Sequence, residues 1–314
     1  MKIGVHLANG GPRTSPETII PLAVRAEELD YDSVWVSDHV VIPSRIDDSN
    51  YPYGAPGTFT PESRQNFFEA FAVLAFIAGR TRRVLLGTSV LVLPQRQPLV
   101  VAKQWATLDA LSGGRAILGV GAGWMREEFE ALGVDTFGRR GAATDEAIRI
   151  YRAAWSQDGD VGFEGDVYRF APLRLLPKPA QQSGIPIWVG GHGRRSIRRA
   201  AELGDGWQPL QMPLAELRAA RATLHQMLAA YGRKPQDVVI SMGLRAYAPG
   251  AGPDGQPGDS DLVGKPEEMA EKLRRYAEAG VEHAFVNAFP RDSAAAMLEV
   301  LELIAREVRP ALSS

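Results

Sequence analysis

The chain has 314 residues, of which 45% are hydrophobic and 23% are charged, and its formal net charge is −2. This composition is ordinary for a globular protein, and the near-neutral charge gives no support for binding nucleic acid or a membrane surface. The sequence contains no cysteine, which excludes disulfides, thiolate metal sites and cysteine nucleophiles. The first ten residues lack the basic and long apolar regions of a signal peptide, so we expect a cytoplasmic protein.

Eight short runs rich in β-branched residues alternate with longer stretches of helical periodicity. Several runs are apolar almost throughout, which is typical of parallel strands covered on both faces. Eight strand–helix units favour a closed TIM (β/α)8 barrel, which we expect to be a single domain over residues 1–314. The predicted strands are Lys2–Leu7, Ser33–Ser37, Val84–Val92, Ala116–Val120, Pro186–Val189, Gly206–Leu210, Val238–Leu244 and His283–Asn287.

Helices are predicted after the strands. Ser15 and Asn66 precede the first two, Pro16–Leu29 and Phe67–Gly79, and are predicted as their N-caps. The other predicted helices are Pro98–Leu111, Met125–Leu132, Ala142–Trp155, Ser196–Leu203, Leu214–Tyr231, Pro266–Ala279 and Ser293–Arg306.

Three stretches interrupt the repeat and are predicted as insertions after strands 2, 4 and 7. They cover about residues 40–65, 158–183 and 249–263. The second contains VGFEGDVYRF, which is typical of a β-hairpin. The first and third follow the carboxyl ends of strands, where the active sites of these barrels lie. Loops of this length in a compact domain are usually lids or binding loops.

Asp38 and His39 stand together at the end of the second predicted strand. In a barrel this position faces the mouth of the active site, and a histidine titrates near neutral pH and can exchange a proton there. The alternative is a strand-end pair that only caps a loop.

Two glycine-rich turns also follow strands. Gly119–Gly123 lacks the full spacing of a dinucleotide-binding loop, so by itself it indicates a tight strand-to-helix turn. Gly190–Arg195 opens a helix, where backbone amides and arginines together favour a phosphate site over a merely solvated basic turn. The five histidines are scattered and no metal motif is present, so no metal site is predicted.

Five segments, in this order, resemble the bacterial luciferase-like family of flavin- and deazaflavin-dependent oxidoreductases. They are VWVSDHVVIP (Val34–Pro43), LLGTSVLVLPQRQPLVVAKQWATLDALSGGR (Leu85–Arg115), LGVGAGWMREEF (Leu118–Phe129), PIWVGGHGRRSIRRAAELGDGW (Pro186–Trp207) and VGKPEEMAEKLRRYAEAGVEHAFV (Val263–Val286). The resemblance implies a TIM barrel, in agreement with the strand pattern.

The resemblance also implies roles for individual residues. Asp38 would contact the ring system of the cofactor, and His39 would lie at the hydride-transfer centre. Ser89 and Val90 would be joined by a non-proline cis peptide bond at a bulge against the ring. Positions near the ribityl chain would be Ala122, Gly123 and Glu127, and the phosphate-binding turn would comprise Gly191, His192, Gly193 and Arg194.

The sequence departs from the sugar-phosphate dehydrogenases of that family at two positions. Trp124 stands where they have a glutamate acid, and Pro213 stands where they have a lysine for the substrate phosphate. We therefore expect a small, nonphosphorylated and largely apolar organic substrate. Its pocket would be formed by Tyr51, Tyr53, Phe59 and Trp124.

The resemblance is greatest to the branch that uses coenzyme F420, so F420-dependent hydride transfer is the predicted activity. The alternative cofactor is FMN, in a monooxygenase that takes reduced flavin from a partner flavin reductase. The resemblance also implies a homodimer. Two alternatives outside redox chemistry stay open, a phosphate-binding isomerase or aldolase and a binding protein, although no predicted strand ends in the lysine that an aldolase needs.

Overall fold

The computed structural model describes residues 1–11, 14–46, 65–156, 159–253, 255–290 and 293–312. Eight parallel strands of these residues form a closed barrel, as predicted. Each strand pairs with the next along the chain, and the eighth pairs with the first, with His283 opposite Lys2. The strands are β1 (Lys2–His6), β2 (Ser33–Val36), β3 (Leu85–Thr88), β4 (Ala116–Gly121), β5 (Ile187–Gly190), β6 (Gly206–Gln208), β7 (Val239–Tyr247) and β8 (His283–Phe289).

Helices surround the barrel at the predicted places, with bounds that differ by a few residues. They are α1 (Pro16–Glu28), α2 (Ala70–Arg80), α3 (Pro98–Ser112), α4 (Arg126–Ala131), α5 (Arg140–Trp155), α6 (Arg194–Leu203), α7 (Leu214–Ala230), α8 (Pro266–Glu278) and α9 (Ala294–Leu303). No helix of the described ranges combines the length and the apolar character needed to cross a membrane.

The prediction that Asn66 caps the second helix is wrong. Asn66 and Phe67 instead form a short strand antiparallel to Gly10–Gly11. A Cβ atom on Gly10 would lie 2.4 Å from the Phe67 ring, so the ring packs directly on the glycine. The helix begins three residues later than predicted, and the carboxylate of Glu69 caps it by accepting a hydrogen bond from Ala72 N at 2.7 Å.

Ser15 does occupy the N-cap position of α1, but its side chain makes no capping hydrogen bond to the helix. Its hydroxyl lies 3.3 Å from the hydroxyl of Thr18 instead. The sequence pattern therefore located the start of α1, although not the contact of the capping side chain.

The third predicted strand is divided in two. Leu85–Thr88 and Leu91–Val92 both pair with β4, and the peptide bond between Ser89 and Val90 that separates them is cis. This confirms the cis peptide that the family resemblance implied. The Val90 side chain reaches across the end of the barrel, because a Cβ on Gly121 or on Gly190 would lie 2.5 Å from its methyl groups.

The interior of the barrel is filled toward the amino-terminal ends of its strands. Trp35, Ile117, Trp188 and Phe285 form a buried cluster there. Next to it His283 lies between two hydroxyls, with Ser33 Oγ 2.8 Å from Nε2 and Ser241 Oγ 2.8 Å from Nδ1. This packing closes one end, so the open end lies at the carboxyl ends of the strands.

The second insertion contains the predicted hairpin, formed by Val161–Glu164 and Arg169–Leu173. The carboxylate of Glu146 on α5 accepts hydrogen bonds from the amides of its turn, Asp166, Val167 and Tyr168. The hairpin is therefore fastened to α5 on the outside of the barrel. In the third insertion, Asp261–Leu262 adds a short strand beside β7.

Candidate functional site

A cavity of about 900 Å³ opens at the carboxyl ends of the barrel strands. Ten of the residues that the sequence singled out line it: Asp38, His39, Ser89, Val90, Ala122, Gly123, Trp124, Gly191, His192 and Gly193. Glu127 and Arg194 are not among the residues that line it. Tyr51, Tyr53 and Phe59 lie outside the described residues. The predicted strand-end, bulge and turn residues therefore converge on one site.

The floor of the cavity is built from Val90 and the glycines beside it. Gly121 ends β4 and Gly190 ends β5, and Val90 occupies the space that a side chain at either position would need. Gly123 has φ +80, and a Cβ there would lie 2.7 Å from Val92. Glycine fits these positions because the side chains of Val90 and Val92 pack directly against them, which leaves a smooth surface for a flat ligand.

Asp38 is enclosed. Its two carboxylate oxygens accept hydrogen bonds from Arg96 at 2.7 and 2.8 Å, and one of them also accepts from Val92 N at 2.9 Å. The side chain of Asp38 exposes no surface. Burial raises the pKa of the Asp38 carboxyl, and Arg96 opposes that effect. The contact between Asp38 and a cofactor ring, which the resemblance implied, stays a prediction.

His39 is held by Glu128, the next residue after the predicted Glu127. His39 Nδ1 lies 3.0 Å from Glu128 Oε2, and the side chains are 12% and 2% exposed. The imidazole also meets two aromatic rings edge to face, Phe67 with centroids 5.2 Å apart and Trp124 with centroids 6.4 Å apart. The histidine therefore has a fixed orientation at the wall of the cavity.

His192 lies in the glycine turn after β5, and its Nε2 accepts a hydrogen bond from Leu210 N at 3.0 Å. A nitrogen that accepts this bond carries no proton, so a neutral ring has its proton on Nδ1. Burial lowers the pKa of His192. At neutral pH this residue contributes a hydrogen-bond donor and no positive charge.

The positive charge at this end of the cavity comes from arginines on two helices. Arg195 in the first turn of α6 and Arg140 at the start of α5 both line the cavity. Arg126 and Arg140 lie over the Phe137 ring, each 4.3 Å from its centroid. Burial, together with the nearby charges of Arg126 and Arg195, lowers the pKa of Arg140. This concentration of positive charge attracts anions.

Arg199 also lines the cavity, but its charge is already matched. It forms an ion pair with Asp145 and donates a hydrogen bond to Gly141 O at 3.1 Å. The α6 amino terminus and the side chains of Arg140 and Arg195 are therefore the groups of this end whose charge suits an anion.

Three residues of the site were missed as individual candidates in the sequence: Arg96, Glu128 and Arg140. Glu128 and Arg96 lie inside the segments that carried the resemblance, but their partners are distant in the chain, 89 residues apart for Glu128 and His39. Glu128 and Phe129 are the buried residues of α4, but no pattern in the sequence distinguishes Glu128 from the neighbouring Glu127 and Glu130. Arg140 is the first residue of α5 and lies between Gly138 and Gly141, and no motif marked it.

The family profile described as luciferase-like monooxygenase matches residues 1–249 of this chain. An uncharacterized protein of Mycobacterium tuberculosis is 39% identical over 188 residues, which cover 60% of this chain and 63% of that protein. An F420-dependent glucose-6-phosphate dehydrogenase of Amycolatopsis mediterranei is 35% identical over 195 residues, which cover 61% of this chain and 53% of that enzyme. The matched region thus spans less than two thirds of the length of these relatives.

Solved structures share the fold over almost the whole chain. The monooxygenase RslO1 from Streptomyces bottropensis has a TM-score of 0.78 at 23% identity, covering 99% of both chains. An F420-dependent secondary alcohol dehydrogenase has a TM-score of 0.78 at 21% identity, covering 99% of this chain and 98% of that one. The oxygenating constituent of 3,6-diketocamphane monooxygenase from Pseudomonas putida, in complex with FMN, has a TM-score of 0.77 at 20% identity and the same coverage.

Proposed function

Since this chain belongs to the luciferase-like monooxygenase family, we propose that it is an oxidoreductase that uses coenzyme F420 for hydride transfer with a small, largely apolar organic substrate. One observation carries the proposal: a single cavity has a histidine held by a carboxylate on its wall and an arginine-rich helix amino terminus elsewhere on its lining. The first element suits proton exchange, and the second suits an anionic cofactor tail.

The residues fit a deazaflavin or flavin in shape and charge. The glycines that flank Val90 leave a smooth floor against which a tricyclic ring can lie, because no side chain can occupy those positions. The turn around Gly193, the start of α6 and the side chains of Arg140 and Arg195 would hold the phosphate. When bound, the ring supplies the redox chemistry, and the protein positions it and excludes competing reactions.

The choice of F420 over FMN rests on the positive charge around the cavity and on the names of related proteins. Coenzyme F420 carries a phosphodiester and a polyglutamate tail, whereas FMN has one phosphate. Arg140 and Arg195 line the cavity and Arg126 lies close enough to Arg140 to lower its pKa, which suits a cofactor with several negative charges. Relatives that match about 61% of this chain at 35–37% identity are named as F420-dependent.

His39 is the proposed proton-exchanging residue. Its Nδ1 is on Glu128, so Nε2, on the other edge of the imidazole, would give or take the proton that accompanies hydride transfer. A histidine at a barrel strand end is a frequent catalytic position in this fold.

The substrate class follows from the surroundings of His39. Trp124 and Phe67 flank the imidazole with apolar rings. Pro213, where a phosphate-binding lysine would stand in the sugar-phosphate enzymes, is the N-cap of α7. A small uncharged alcohol, ketone or alkene fits such a wall better than a sugar phosphate does.

The test is a parallel titration of the protein with F420 and with FMN, followed by absorbance and fluorescence. Tighter binding of F420 supports the proposal, and tighter binding of FMN overturns the cofactor assignment in favour of a monooxygenase that works with a flavin reductase. The variant His39→Ala should bind the preferred cofactor within about threefold of wild type but lose about 10²-fold or more in turnover, the range of general acid–base catalysis. Equal losses in both measurements would make His39 a structural residue.

A further inference from the structure

Glu128 joins two parts of the site with one carboxylate. Oε2 lies 3.0 Å from His39 Nδ1, whereas Oε1 accepts hydrogen bonds from Val40 N at 2.8 Å and Val41 N at 3.4 Å. The side chain is 2% exposed although it belongs to a short, acidic helix. Both oxygens of this buried carboxylate have hydrogen-bond partners. A buried carboxylate without partners would be strongly destabilising, so these contacts are needed to keep Glu128 in the interior.

These partners fix the protonation of the pair. Burial raises the pKa of Glu128, but the hydrogen bonds from His39 and from the backbone outweigh it, so that the pKa lies below its ordinary value. An ionised carboxylate can only accept hydrogen bonds, so the shared proton resides on His39 Nδ1. The neutral imidazole then has its lone pair on Nε2, which makes Nε2 the ring nitrogen that can accept a proton.

The surroundings hold the ring in this orientation. Phe67 and Trp124 meet the imidazole at 88° and 89°, so rotation of His39 would break both the edge contacts and the Glu128 hydrogen bond. Within the described ranges, Asp38 at the end of β2 also interacts electrostatically with His39, and Asp38 is paired with Arg96 after β3. Both carboxylate oxygens of Asp38 bond to Arg96, whereas Glu128 bonds to the imidazole.

We propose that Glu128 is a positioning residue: it keeps His39 in the Nδ1–H form and thereby presents Nε2 to the substrate. The proposal rests on the proposed function only for what Nε2 does to the substrate. The tautomer itself is a property of the protein without any ligand, so it can be measured whether or not the cofactor assignment is correct.

Glu128→Gln separates positioning from simple anchoring. The glutamine carbonyl can still accept from Val40 N, but its NH₂ group now faces His39 and donates to Nδ1. We therefore expect His39 to change to the Nε2–H form, whose proton blocks acceptance at that nitrogen. Long-range ¹H–¹⁵N spectra of the ligand-free protein at a pH where His39 is neutral, assigned with His39→Asn, report the tautomer directly.

Turnover gives the second measurement. Glu128→Gln should lose at least about tenfold in kcat with cofactor affinity within about threefold of wild type, because only the proton transfer is impaired. Glu128→Asp, which keeps the charge, should retain the Nδ1–H form and recover a large part of kcat. Glu130→Gln removes one charge from the exposed side of the same helix and should match wild type in both measurements.

The outcomes separate the alternatives. An Nδ1–H histidine in Glu128→Gln overturns the proposal, whatever its activity, because a lost kcat would then reflect the anchoring of Val40 and Val41. A tautomer change with kcat equal to that of Glu130→Gln also overturns it. If wild type binds neither F420 nor FMN, the proposed function fails, and the spectra still decide the role of Glu128 in setting the histidine.

Discussion

Asp38 and Arg96 form a buried, two-pronged ion pair across the carboxyl ends of β2 and β3, with N–O distances of 2.7 and 2.8 Å. The same aspartate accepts the amide of Val92, two residues after the cis peptide. The pair therefore joins the end of β2 to the chain that carries Val90. This arrangement makes Asp38 a support for the cavity floor.

Removal of Arg96 should be strongly destabilising, because it leaves the Asp38 carboxylate buried without its counter-charge. For Arg96→Ala we expect a loss of about 3–5 kcal/mol in the free energy of unfolding, the range for a broken buried ion pair. Denaturant titration followed by circular dichroism measures it. The control is Arg174→Ala, whose pair with Asp160 is largely exposed and should contribute about 0–1 kcal/mol. Equal effects of the two variants would show that the Asp38 pair is not a support.

His283 makes the stability of the barrel depend on pH. Burial lowers its pKa from 6.5 to about 3. Between these values the unfolded chain holds a proton on His283 that the folded protein lacks, so stability is complete above pH 6.5 and falls as the pH decreases toward 3. One pKa unit corresponds to about 1.4 kcal/mol, so the contribution lost between pH 7 and pH 5 is about 2 kcal/mol.

The variant His283→Gln keeps a hydrogen-bonding side chain but cannot titrate. Between pH 7 and pH 5 the free energy of unfolding should fall in both proteins, but the fall in His283→Gln should be smaller than that in wild type by about 2 kcal/mol. Denaturant curves at both pH values provide the comparison. Parallel decreases in the two proteins would show that other groups cause the acid sensitivity.

The sequence was sufficient to predict the barrel, because strand-to-helix alternation is a local pattern that eight apolar runs repeat. A local pattern also gave one wrong prediction, the N-cap of the second helix. Asn66 precedes an apolar stretch as a cap would, but Phe67 packs on Gly10, more than fifty residues earlier. That tertiary contact draws both residues into a short strand and shifts the start of α2.

The parts of the site that lie within one continuous stretch of sequence were predictable. The bulge at Ser89 and Val90 and the turn at Gly191–Gly193 could be recognised from motifs, and they do line the cavity. The partners of the key residues could not be recognised, since pairings such as Asp38 with Arg96 depend on how neighbouring strands align. Charged residues at such positions are equally common on solvated surfaces, so composition gives no signal for them.

The packing of Val90 between two glycines predicts a sensitive position. In Gly190→Ala the new methyl group would lie 2.5 Å from Val90 Cγ1, so the bulge must move. We expect a loss of about 1–3 kcal/mol in stability, as for other overpacked sites, together with weaker cofactor binding. Gly79→Ala, where a Cβ meets nothing within 4 Å, is the control and should bind cofactor normally. Unchanged binding in Gly190→Ala would indicate that the ring does not rest on Val90.

The last prediction concerns which arginine of the turn after β5 holds the cofactor anion. The sequence indicated Arg194, but the side chain that lines the cavity with Arg140 is that of Arg195. Both arginines are exposed, so each contact is partly screened by solvent and salt. We expect Arg195→Ala to weaken F420 binding about tenfold at low ionic strength and less at 0.5 M salt, and Arg194→Ala to change it less than about twofold. Fluorescence titrations of both variants at two salt concentrations measure this. A larger effect of Arg194→Ala would return the role to that residue. No effect of either variant would leave Arg140 and the backbone amides of α6 as the anion-binding groups.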